Sequence, residues 1–285
     1  MKRQNQNHKA SSKLKWRHKK IVISTEQSEW RNLFKGSLDT LEMTNKNKKA
    51  IIFYLLPIPF VMLSKITFAF LKAVKENNNL EWMNKNRDLY HMERDNFLAF
   101  AKELIEKTQK LDKNIWELAV KNATFRFNRD IRFTKDKSPY KGNFWVIICE
   151  EGKHWDAAGY YVHIEPGKCF IGGGMYMPSG PTLQRVRMYI AKNYKQLQKI
   201  INVPAFKKMF GPLIGGDELK KIPRWFDQNH KAGRLLKMKW RFTEHTLSEK
   251  IILQDNFVEY CISVFKIMKP LNDFLNKWMH YSPKI

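Results

Sequence analysis

Residues 144–176 read FWVIICEEGKHWDAAGYYVHIEPGKCFIGGGMY, three extended segments separated by turn-forming residues. Phe144 to Cys149 is apolar at every position, which predicts a strand covered on both faces. Gly159 to Glu165 alternates, with Tyr160, Val162 and Ile164 on one side and Tyr161, His163 and Glu165 on the other. Cys169 to Tyr176 is the third segment and contains Gly172-Gly173-Gly174. The connections between segments run to nine residues at most. That is too short for a crossover helix, so neighbouring strands must run antiparallel.

Upstream, Phe125, Phe127, Ile131 and Phe133 alternate with Arg126, Asn128, Asp130 and Arg132, which predicts a further half-buried strand or ribbon. Helical periodicity flanks this central block. Ile66, Phe70 and Val74 recur at helical spacing, and Asn77-Asn78-Asn79 ends that helix and caps the next. Residues 80–109 read as a long helix with Leu89, Met92, Phe97, Phe100, Leu104 and Ile105 on its stripe. A second long helix is predicted over 181–202, with Leu183, Val186, Ile190, Tyr194, Leu197 and Ile201 buried and Arg185, Lys192, Lys195 and Lys199 on another face. Residues 204–233 are rich in Pro and Gly and read as loop. A strand is predicted over 236–243, and a final helix over 256–280 with a kink at Pro270. The pattern gives an α+β fold: a mainly antiparallel central sheet flanked by long N-terminal, middle and C-terminal helices.

Composition narrows the function classes. The 285 residues are 43% hydrophobic and 13% aromatic, with 13 Gly and 11 Pro, which excludes a collagen-like or wholly disordered chain. Three cysteines, Cys149, Cys169 and Cys261, show neither the even, dense set of a disulfide scaffold nor metal-ligand spacing, and read as reduced, which makes the cytoplasm the default compartment. The formal charge is +25; residues 1–61 contribute 13 Lys/Arg against 4 Asp/Glu, and the remainder is still +16. A field of that sign attracts nucleic acid, anionic membrane or phosphorylated ligands.

Residues 1–20 are polar, basic and without periodicity, the signature of disorder. Ala50 to Leu63 is apolar but only 14 residues long and broken by Pro57 and Pro59. A bilayer needs about 20 residues, so no stable membrane span is expected. The layout resembles a signal peptide if translation began at Met43, but no small-residue cleavage site follows. Residues 1–61 therefore read as a basic, disordered extension or a mis-assigned start in front of a single domain at 62–285.

The densest polar segment supplies the first candidate site. Arg126, Asn128, Arg129 and Arg132 are followed by Lys135, Lys137, Tyr140 and Lys141. Two guanidinium forks on one sheet face suit bidentate recognition of phosphate or carboxylate, although Asp130 between them could neutralise them internally. Tyr161, His163 and Glu165 share a strand face, the minimum for general acid–base work, with Asp130 as another carboxylate that could orient His163. Gly173 and Gly174, ahead of a helix start near 181, could let the backbone approach a ligand. Their spacing fits neither a dinucleotide fingerprint nor a phosphate loop, and no nucleophile elbow or metal motif occurs. Trp82, Trp116, Trp145 and Trp278 fall in apolar stripes and read as core, and Asp156 reads as a surface turn residue.

Five strings carry a resemblance: ENNNLEW (76–82), FRFNRDIRFTKDKSPYKGNF (125–144), GYYVHIEPG (159–167), FIGGGMYMP (170–178) and KPLNDFL (269–275). Together they resemble the family catalogued as domain of unknown function 2461, over about residues 62–280. The resemblance implies a domain opening near Met62 and brings no activity with it. From the residues, the leading expectation is a binding domain for an anionic ligand, nucleic acid or a phosphorylated metabolite, through the Arg/Lys-rich sheet segment. The alternative is a hydrolase or transferase acting on an anionic substrate with His163 as acid or base. Whether the protein is an enzyme, which cofactor it takes and its oligomeric state stay open at this point.

Overall fold

The computed structural model describes residues 63–281 except 151 and 155; the extension at 1–61 and the body of the apolar run at 50–63 lie outside the described residues. Helix α1 (Lys65–Glu76) starts on a capping box. Ser64 Oγ accepts the Ile66 N–H at 3.1 Å, and Thr67 Oγ1 accepts the Ser64 N–H at 3.1 Å. The asparagine run then acts as the sequence predicts: Asn77 closes α1, and Asn79 Oδ1 accepts the Trp82 N–H at 2.9 Å to open α2 (Leu80–Lys85).

The predicted helix at 80–109 is in fact two. Asn86 leaves helical geometry (φ −109°, ψ 19°), and its side-chain amide donates to the Trp82 carbonyl at 2.8 Å. That local bond competes with the helical ladder, and α3 (Arg87–Leu111) begins anew. Met92, predicted on the stripe, is exposed; the buried face is Phe97, Phe100, Ala101, Leu104 and Ile105.

After the short helix α4 (Val120–Ala123), strands β1 (Phe144–Ile148), β2 (Gly159–Ile164), β3 (Phe170–Met175) and β4 (Arg241–Thr246) form one antiparallel sheet in the order β1-β2-β3-β4. Between β3 and β4 lie α5 (Gly180–Ile201), α6 (Pro204–Phe210) and α7 (Gly233–Lys237); α8 (Glu249–Ile252) and α9 (Phe257–Asn276) follow. The fold class is α+β. One sheet face carries Phe144, Val146, Ile148, Tyr160, Val162, Ile164 and Ile171, all buried beneath α3 and α9. Polar anchors fix α9: Asn272 Nδ2 donates to the Gly159 carbonyl and Asn276 Nδ2 to the Ala158 carbonyl, each at 3.0 Å. Gly173 leaves room for α9, since a Cβ there would lie 2.1 Å from Met268 Sδ.

Four local expectations change. Residues 125–133 form no strand, only isolated bridges Thr124↔Val146 and Asn128↔Tyr140, so the Arg/Lys segment flanks the sheet. Asp130 and Asp136 accept the backbone N–H groups of Arg132 and Ser138, turning the chain locally, and Phe133 is 94% exposed. Within the stretch 204–233 read as loop, Pro204–Phe210 is the helix α6, with Pro204 in its first turn. The strand predicted from 236 starts at Arg241, because 233–237 is helical, and the helix predicted to 280 ends at Asn276 in a 3-10 turn. All three cysteines are buried. Among the described residues, no helix is long and apolar enough to cross a membrane.

Candidate functional site

Strand alternation places a second set of side chains on the face of the sheet opposite α3 and α9. β1 contributes Trp145, β2 Tyr161 and His163, β3 Phe170 and β4 Phe242, all partly buried. The Trp145 ring meets Tyr161 edge-on at 5.5 Å, Phe170 stacks on His163 at 5.0 Å, and Tyr176 joins Phe242 at 5.7 Å. A Cβ on Gly172 would lie 2.5 Å from the Phe242 ring, so the glycine keeps this aromatic row continuous. Trp145, expected in the core, belongs to this face instead, and Trp116 is exposed. The string FWVIIC hides this because no polar residue marks the outward positions.

His163 is the centre of a hydrogen-bonded chain on that face. Its Nε2 lies 2.8 Å from Glu165 Oε2, its Nδ1 lies 3.3 Å from the Tyr161 hydroxyl, and Lys75 Nζ donates to Glu165 Oε1 at 2.7 Å. With Nε2–H donating to the carboxylate and Nδ1 accepting from Tyr161, both nitrogens of a neutral ring are satisfied. Burial pushes the imidazole below its ordinary value of 6.5, outweighing the Glu165 contact that raises it. At Glu165, burial opposes the charge, but the Lys75 and His163 hydrogen bonds outweigh it and hold the carboxyl below its usual range. Asp130 takes no part; its carboxylate is held by Arg132 at 2.7 and 3.0 Å.

A pH dependence follows. The folded chain binds the His163 proton less readily than the unfolded chain, so this group's contribution to stability is complete above 6.5 and is lost as pH falls below it. An NMR titration of the His163 ring should show a midpoint below 6.5. Glu165→Gln, which removes the contact favouring the imidazolium, should move the midpoint lower still; an upward move would contradict the hydrogen-bond assignment.

Most of the cationic segment is occupied internally. Arg129 pairs with Asp136 and donates to Ser138 Oγ at 2.8 Å, Arg132 pairs with Asp130, and Lys137 Nζ donates to the Ile131 carbonyl at 2.9 Å. Hydrogen bonding from Arg132 lowers the Asp130 carboxyl to about 2. Tyr140 is buried, its backbone clamped by Asn78 through two bonds of 2.9 Å. Asn128 and Lys135 are exposed. Arg126 and Lys141, unlike Arg129 and Arg132, make no ion pair among the described residues. Lys141 Nζ sits over the rings of Phe125 and Trp145 at 5.5 and 5.4 Å.

Arg126 lines a cleft of about 580 Å³ together with Arg94 and Lys102 from α3, Lys121 from α4, Lys153 from the turn after β1, and the ring of Phe125. Among the described residues no acidic residue lines it, and the nearest carboxylate contact is Glu106 Oε1, 3.8 Å from Lys102 Nζ. Arg94 lies over the Phe97 and Phe144 rings at 5.7 and 6.0 Å and has neither a hydrogen bond nor an ion pair among the described residues. Its guanidinium is disfavoured chiefly by burial, and the Lys141 ammonium is disfavoured by burial and by Arg126 and Arg94. Cations gathered this way repel one another and gain from an anion between them. The sequence signals only Arg126 here; Lys121 lies five residues before it in α4, and Arg94, Lys102 and Lys153 come from distant segments. His163 and Glu165 do not line the cleft; Phe125, which does, packs tilted at 34° against Trp145 of the sheet face, 4.4 Å away.

The glycine run offers no anion cradle. Gly173 and Gly174 are paired on both sides within β3. The N-terminus of α5 already holds an anion, since Asp156 accepts from Ser179 N at 2.8 Å, Ser179 Oγ at 2.5 Å and Thr182 Oγ1 at 2.7 Å. Asp156 is thus a helix cap, not a free surface residue.

Among known proteins, a family model described as conserved hypothetical protein (DUF2461) matches residues 66–274. No curated protein and no solved structure matches the chain.

Proposed function

We propose a binding function for this chain, which belongs to the DUF2461 family of conserved hypothetical proteins: it holds a phosphate-bearing ligand, nucleic acid or a phosphorylated metabolite, in the cleft between α3, α4 and the segment following α4. The observation that carries this reading is the lining of that cleft, five cations and, among the described residues, no carboxylate. Arg94 and Arg126 supply planar forks matched to phosphate oxygens, and the three lysines supply point charges. Phe125, which lines the cleft, offers a ring to a base or sugar. The +16 charge of residues 62–285 draws such ligands in. The protein works in the cytoplasm in this reading.

The test is fluorescence anisotropy of labelled single- and double-stranded oligonucleotides with the full chain across a salt series. Binding that falls steeply with salt is expected, as phosphate neutralisation releases counterions. Absence of binding at low salt would remove nucleic acid and leave the phosphorylated metabolite. A second reading, a hydrolase or transferase on an anionic substrate, is favoured by the Tyr161–His163–Glu165–Lys75 chain, with His163 as acid or base and Glu165 orienting it. It ranks below binding because neither His163 nor Glu165 lines the cationic cleft.

A further inference from the structure

A second cleft, of about 520 Å³, opens where α5 meets the loop at 225–230 and Tyr281. Clefts that take small molecules run from about 300 to 1,000 Å³. Helix α5 supplies Met188 and, one turn on, Lys192; the loop supplies Trp225, Phe226 and His230. None of these residues lines the cationic cleft, and among the described residues no acidic side chain lines this one.

Its walls are held in place by bonds within the protein. Gln228 Nε2 donates to the Ile222 and Phe226 carbonyls, each at 3.1 Å, and the Phe226 N–H donates to the Pro223 carbonyl at 3.0 Å. These bonds fix the backbone that carries Trp225, yet the indole is left 64% exposed. Leaving so large a ring in water forgoes its burial, and apolar surface set among polar groups marks a binding site. Across the cleft, the Tyr281 ring is backed edge-on by Tyr189 at 5.4 Å.

Two polar groups of the lining are left for a ligand. Lys192 makes neither an ion pair nor a hydrogen bond among the described residues, and its ammonium lies 5.5 Å over the Tyr281 ring. His230 Nδ1 accepts the Ala232 N–H at 3.0 Å, which assigns the proton of the neutral ring to Nε2. That Nε2–H makes no hydrogen bond among the described residues. One positive charge beside one neutral donor suits a monoanion, whereas a phosphate dianion is better matched by the cationic cleft. A carboxylate presents one oxygen to each donor. Three rings and the Met188 thioether favour a flat aromatic body over an aliphatic one.

We infer that this cleft is a binding site for a small aromatic monocarboxylate. The ring lies among Trp225, Phe226, Tyr281 and Met188, and the carboxylate accepts from Lys192 and His230.

The test is a titration of the full chain with indole-3-acetate, followed by saturation-transfer NMR of the ligand. Saturable binding is expected with a Kd of about 1 mM or tighter, the ordinary yield of a ligand this small. Tryptamine, the same ring with a cationic tail, and hexanoate, the carboxylate without a ring, should each bind about tenfold more weakly. Lys192→Gln and Trp225→Ala should each raise the Kd about tenfold. Both side chains are exposed, so Tm should match the parent in each variant. The Arg94→Gln/Arg126→Gln variant should keep the parent Kd for indole-3-acetate, which separates this site from the cationic cleft. Absence of saturable binding would overturn the inference, as would tryptamine or hexanoate binding as well as indole-3-acetate. So would an unchanged Kd in Lys192→Gln, or loss of binding in the Arg94→Gln/Arg126→Gln variant.

Discussion

Replacing Arg94 and Arg126 together by glutamine is expected to weaken oligonucleotide binding by the full chain roughly 100-fold at low salt. A hydrogen bond to a charged group contributes about 1.5 kcal/mol at the low end, and two such losses amount to about two decades in Kd. Folding should survive. Arg126 is exposed and unpaired among the described residues, and glutamine at 94 retains part of the stem that lies over Phe97 and Phe144. Arg132→Gln is the informative companion, because Arg132 is already engaged by Asp130 and points to solvent. Its Kd should change by less than about threefold, within the range typical of exposed ion pairs. If Arg132→Gln is as damaging as Arg126→Gln, the ligand lies along the 125–141 segment and outside the cleft. Kd by anisotropy and Tm by thermal unfolding, measured on the same preparations, separate loss of binding from loss of fold.

The second large effect concerns the strand that joins the two halves of the sheet. Gly174→Ala should lower Tm by roughly 10 °C. Gly174 adopts φ +100°, a conformation L side chains rarely take, and a Cβ there would lie 2.2 Å from the Arg241 carbonyl oxygen. Backbone strain of about 1–3 kcal/mol adds to a clash against backbone that cannot rotate away. A loss of about 3 kcal/mol in a domain of this size corresponds to that Tm shift. Gly180→Ala is the control: nothing lies within 4 Å of its added methyl group, and the position begins α5. Its Tm should stay within about 2 °C of the parent. Equal losses in both variants would mean that Gly174 is not constrained by its pairing with β4.

Much of the architecture was legible because its signals are local. Ser64, Asn77 and Asn79 act on neighbours two to four residues away, and Tyr160, Val162 and Ile164 declare their face by simple alternation. The readings that changed depended on contacts between distant segments. Asn86 splits a helix through one side-chain bond that periodicity does not register. Trp145 stands in an unbroken apolar string, so nothing local tells its face from that of Val146. Asp130 was the visible warning about the arginine segment, and its pairing with Arg132 shows the warning to be apt. The cleft was mostly illegible, since Arg94, Lys121 and Lys153 come together only once α3, α4 and the turn after β1 pack side by side.

The most direct test of the cleft as a phosphate site is the salt dependence of binding, compared between the parent chain and the Arg94→Gln/Arg126→Gln variant. Each phosphate contact removed should reduce the slope of log K against log salt by about one. The slope should therefore fall by about two in the double variant. An unchanged slope, with the parent still binding tightly, would place the phosphate contacts elsewhere, including the basic residues of 1–61, and would contradict the assignment of the cleft.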